Sequence, residues 1–67
     1  MSIGEKIKQQ REHKGYTQEE VAKRVGVSKQ YIGQIENGLK VPPLSIVIGI
    51  ADMFHCSIDG LVGRNVS

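Results

Sequence analysis

The run Thr17-Gln18-Glu19-Glu20-Val21-Ala22-Lys23-Arg24-Val25-Gly26-Val27-Ser28-Lys29-Gln30-Tyr31-Ile32-Gly33-Gln34-Ile35-Glu36-Asn37-Gly38 holds two helix starts and two helix stops within 22 residues. Thr17 with Glu20 three positions on is a capping box, in which the hydroxyl accepts from the third helical N–H and the carboxylate accepts from the N–H of the cap. Val21, Ala22 and Val25 then point to one inward face, and Gly26 supplies a left-handed stop. Ser28 caps the next helix, predicted from Lys29 to Glu36 or Asn37, with Ile32 and Ile35 apolar and Gly38 as its end.

The link between these helices is about three residues long, the length of a helix-turn-helix connection. On the N-terminal side, Ser2 with Glu5 is a second capping box, and Ile3, Ile7 and Arg11 recur every fourth residue down one face until Lys14-Gly15-Tyr16 ends the helix. On the C-terminal side, Val41-Pro42-Pro43 breaks the chain before the mostly apolar Leu44 to Phe54, and Ser57 to Val62 has the pattern of a last short helix. The expectation is an all-α, compact five-helix bundle with helices two and three, residues 17–37, forming the helix-turn-helix. Ile46 to Ile50 is β-prone taken alone, but no segment shows period-two alternation between turns.

Composition narrows the function classes. With 67 residues the chain is expected to be one domain, 1–67, without a separate ligand-binding unit. A net charge of +2 permits a nucleic-acid partner without requiring one. The single cysteine, Cys56, excludes an internal disulfide and a cysteine-based zinc site, and is expected to pack as a small apolar residue. Charges every few residues from Met1 to Lys14 leave no secretory core or spanning helix, so a cytoplasmic protein with no membrane partner is expected. An enzyme would need a nucleophile, base or metal cluster. His55-Cys56 has no third partner and is expected to pack in a loop, and His13 falls on the solvent side of helix one. No catalytic residue, cofactor, metal or small-molecule ligand is assigned.

Helix three carries the candidate binding residues. Gln30, Gly33, Gln34 and Asn37 stand at i, i+3, i+4 and i+7, with Lys29 beside them and no acid in the stripe. Glutamine can bond bidentately to adenine and lysine favours guanine, while a glycine lets a groove approach closely or clears space for a thymine methyl. Lys29, Gln30 and Gln34 are therefore the candidate base readers. A polar stripe is equally what the solvated side of any amphipathic helix looks like, so the stripe alone does not decide.

Thr17-Gln18-Glu19-Glu20-Val21-Ala22, then Gly26-Val27-Ser28 to Ile32, then Gln34-Ile35-Glu36-Asn37-Gly38 resembles the phage repressor and Cro family of helix-turn-helix regulators, also called the xenobiotic-response-element family. Ile50-Ala51-Asp52 and Ser57-Ile58-Asp59-Gly60-Leu61-Val62 are similar to the family's fourth and fifth helices, so the resemblance covers nearly the whole chain. It implies a lambda-repressor-like domain that binds double-stranded DNA, sets its third helix in the major groove, and works as a homodimer on an inverted repeat, with repression by occlusion as the simplest outcome. It implies base contacts at Lys29, Gln30 and Gln34, and at Gly33, where the family usually has a polar side chain. It implies phosphate contacts at Gln18, Asn37 and Lys40, to which the hydroxyls of Ser28 and Tyr31 add two donors.

Arg11 shares the inward face of Ile3 and Ile7, where a charge needs a partner. Glu36 lies one turn from Ile32 on the buried side of helix three, and the resemblance implies an arginine–glutamate pair at these positions. A phosphate contact by Arg11 is the competing role. Leu44, Ile46, Val47, Ile48, Ile50, Met53 and Phe54 exceed what one helix face buries, and with the resemblance they imply a dimer interface at Ile46, Ile50, Ile58 and Leu61, with Val66 a further candidate. The rival to DNA binding is a protein-interaction module of the same fold, an antitoxin or coactivator-like adaptor.

Overall fold

The structure, a computed structural model, describes residues 2–55. It contains α1 (Ile3–Lys14), α2 (Gln18–Val25), α3 (Lys29–Glu36) and α4 (Leu44–Phe54), and no strand among the described residues. The fifth helix expected at Ser57 to Val62, together with Cys56, Ile58, Leu61 and Val66, lies outside the described residues.

Local chemistry sets the helix boundaries. Ser2 and Thr17 each accept from the backbone N–H three residues on, and Glu5 and Glu20 return the bond to the cap, so both capping boxes are complete. Ser28 caps α3 through Tyr31 N–H at 3.0 Å, without an acidic partner. The C-termini of α1 and α2 close on Gly15 and Gly26, both left-handed at φ 79° and 78°. α4 starts differently: Pro43 occupies the cap with no side-chain bond, and the fixed φ of proline prepares the first turn. It ends on His55 at φ 56°, the only non-glycine residue with positive φ among those described.

α1 packs on α3 and α4, and α2 packs on the same two helices. Ile7, Val21, Ala22, Ile32, Ile35, Val47, Ile50, Ala51, Met53 and Phe54 form the core. Val25, read from the sequence as inward, is only half-buried at the edge of that core. Phe54 is fully buried and stacks on Tyr16 with ring centroids 5.9 Å apart and an interplanar angle of 11°, tying the α1–α2 turn to the end of α4.

Ile50 requires a correction. The sequence placed it at a dimer interface, but it is 0% exposed and wholly consumed by the core, so it presents no surface to a second chain. The exposed apolar residues near it are Leu44 and Ile48 on α4 and Leu39 and Val41 in the preceding loop. Periodicity shows which residues share a face of α4; which face turns inward depends on where α1 and α2 lie.

Candidate nucleic-acid interface

α3 has two faces with different chemistry. Ile32, Ile35 and Glu36 are buried, whereas Lys29, Gln30 and Asn37 are exposed and Tyr31, Gly33 and Gln34 half-buried. The one acidic residue of α3 is thus turned inward, and the outward face offers one ammonium, three amides and the bare backbone of Gly33. Such a face can donate to and accept from base edges without setting an anion beside phosphate.

Glu36 is held below this face by three donors. Arg11 Nε donates to Oε2 at 2.7 Å, and Arg11 Nη2 donates to Oε1 at 3.2 Å, a bidentate pair. The side chains are 11% and 1% exposed, so the pair is buried. Arg11 Nη1 donates further to the carbonyl of Tyr16 at 2.9 Å, which accounts for the remaining side of the guanidinium. Hydrogen bonding to Glu36 holds the Arg11 guanidinium above its ordinary pKa, burial opposes this, and the charge of Glu36 reinforces it. A phosphate role for Arg11 has little room here, because its nitrogens are spent inside the fold.

The third donor is Gln18. Its Nε2 donates to Glu36 Oε1 at 3.0 Å, so the amide at the start of α2 is clamped across α3. No spacing in the chain announces this bond, since Gln18 and Glu36 stand 18 positions apart on different helices. An amide nitrogen carries two hydrogens, and the bond to Glu36 uses one of them.

The segment after α3 is also tied to it. Leu39 N–H and Lys40 N–H both donate to the carbonyl of Gln34, at 2.8 and 3.3 Å, folding the chain back so that Asn37 and Lys40 stand exposed just past the helix. Ser28 Oγ is used as the cap acceptor, which leaves its O–H free to donate, and Tyr31 is half-buried against the core. The expected base-contact residues therefore share the outer side of α3, with Ser28 just before it and Asn37 and Lys40 just after it. Ile46 is partly buried against the core.

The profile of the family described as Helix-turn-helix matches residues 7–61. The chain belongs to the helix-turn-helix family. This helix-turn-helix domain is of the phage repressor and Cro type. It is 41% identical over 58 residues to YazB of Bacillus subtilis (strain 168), described as an uncharacterized HTH-type transcriptional regulator, covering 87% of this chain and 84% of YazB. It is 46% identical over 41 residues to the HTH-type transcriptional regulator SinR of the same organism, covering 61% of this chain but only 37% of SinR. Among solved structures, the P22 c2 repressor protein in complex with synthetic operator 9T superposes with a TM-score of 0.87 at 28% identity, covering 97% of this chain and 98% of that one. SinR in complex with DNA superposes with a TM-score of 0.80 at 35% identity, covering 88% and 95%. No helix among the described residues is long and apolar enough to cross a membrane.

Proposed function

We propose that this helix-turn-helix domain is a sequence-specific transcriptional regulator, acting as a repressor, that binds double-stranded DNA by laying the outward face of α3 in the major groove. The observation that carries this is the inward burial of Glu36, which leaves Lys29, Gln30, Gly33 and Gln34 as an acid-free surface flanked by Gln18, Ser28, Tyr31, Asn37 and Lys40. Side chains on both flanks hold phosphates and fix register, while those between them meet base edges. The relatives named as transcriptional regulators, and the two neighbours solved with operator or DNA, support the same reading.

The domain works as a homodimer on an inverted repeat, its recognition helices roughly 34–36 Å apart, one turn of DNA. Of the residues expected at the dimer contact, Ile46 lies on α4, partly buried against the core, and Ile58 and Leu61 lie outside the described residues. Sedimentation showing monomer alone, with and without DNA, contradicts the dimer. The antitoxin or coactivator-like alternative uses the same face against a protein, and it has no need of phosphate contacts on both flanks.

A gel shift at two salt concentrations, with random duplex as competitor, separates these readings. Regulation predicts binding that weakens steeply with salt yet survives a large excess of competitor. Salt-sensitive binding that random duplex removes completely leaves only a general affinity for DNA, and no shift at either salt overturns the reading.

A further inference from the structure

Gly33 is an interior glycine of an eight-residue helix, at a position where nothing in the fold calls for one. Its φ is not left-handed, and a Cβ built there meets only the Gln18 amide, Nε2 at 3.7 Å and Oε1 at 3.9 Å, an ordinary van der Waals distance. Gly4 is the contrast: a Cβ there runs into the carbonyl oxygen of Ile35, so the close approach of α1 to α3 demands the glycine. Glycine is among the poorest residues for a helix interior, and alanine among the best. The weakness at Gly33 therefore answers to something that comes against the outer face of α3.

Resting on the DNA-binding reading, we infer that Gly33 is a specificity-determining residue whose missing side chain forms a notch for the 5-methyl group of a thymine. The floor of the notch is the apolar Cα of Gly33. Gln30 stands one turn before it, Asn37 one turn after it and Gln34 next to it, while the Gln18 amide, anchored on Glu36, borders the side. An apolar floor inside an amide rim suits the 5-methyl group of thymine, whereas cytosine carries only hydrogen at C5 and leaves the notch unfilled. A methyl on residue 33 would occupy the space that the thymine methyl needs. Thymine is preferred over cytosine, and over uracil by the methyl alone.

The test begins with selection of duplexes from random DNA by the wild-type chain. The selected duplex is then remade with each thymine in turn replaced by deoxyuridine, and both wild type and Gly33→Ala are titrated against the set. In each half-site one replacement should weaken wild type about fourfold, the contribution of one buried methyl. Gly33→Ala should bind the parent duplex about tenfold or more weakly and lose its sensitivity to that replacement. Its melting temperature should rise by about 4–8 °C, because alanine replaces glycine in a helix with room for it. A fall in melting temperature would mean that the fold requires the glycine, and unchanged affinity with the same uracil sensitivity would mean that no methyl sits there; either overturns the inference alone. Failure of wild type to select any duplex overturns the DNA-binding reading and the inference with it.

Discussion

Arg11 on α1 and Glu36 on α3 form a buried bidentate pair, 2.7 Å at its shorter contact, and the Gln18 amide of α2 shares the same carboxylate. One side chain thereby joins the first three helices behind the face proposed for DNA. Glu36→Gln leaves a buried guanidinium without its anion and should destabilise the domain by about 3–5 kcal/mol, against under about 1 for an exposed pair. Urea or thermal unfolding measures this. An unchanged midpoint would mean that the pair contributes nothing.

The double variant Arg11→Met, Glu36→Met should recover most of that loss, since a well-packed apolar pair avoids the desolvation of both charges. Its DNA affinity should nevertheless fall, because Gln18 loses the acceptor that orients its amide. Comparing the melting temperature with the binding constant of the same variant separates the two roles. Recovery of both would show that Glu36 does not position Gln18.

His55 closes α4 in the left-handed region at φ 56°. A side chain there crowds the following backbone, and glycine does not. His55→Gly should raise the unfolding free energy by about 0.5–1 kcal/mol, the gain being limited by the extra freedom of glycine in the unfolded chain. A lower stability would mean that the imidazole makes a compensating contact.

Lys40 follows α3 in a segment bonded back to the Gln34 carbonyl. As a phosphate contact it carries no base information, so Lys40→Ala should weaken all duplexes alike and reduce the slope of log affinity against log salt by about 1. Titrations at several salt concentrations give the slope. A loss confined to the selected sequence would assign Lys40 to base reading instead.

The helix starts and stops were legible because they are local. Ser2 with Glu5, Thr17 with Glu20, and Ser28 mark the starts in sequence, and Gly15 and Gly26 mark the ends of α1 and α2. The outward stripe of α3 follows from helical phase once Ile32 and Ile35 are taken as inward. Contacts between helices were not legible from spacing, and the Arg11–Glu36 pair was anticipated only through the family resemblance. The stacking of Tyr16 on Phe54 and the bond from Gln18 to Glu36 join residues distant in the chain, and no spacing announces them. Ile50 was misplaced for a related reason: on a helix rich in apolar residues, composition does not say which ones the neighbouring helices cover.

Selection of binding sites from random duplex, run in parallel with wild type and Gln34→Ala, tests most directly whether α3 reads bases. Gln34 should face base edges, and its truncation should cost about 1–3 kcal/mol on the preferred sequence while relaxing one base position in each half-site. An identical preferred sequence from both proteins, with affinity reduced equally on every duplex, would show that α3 holds DNA without reading it.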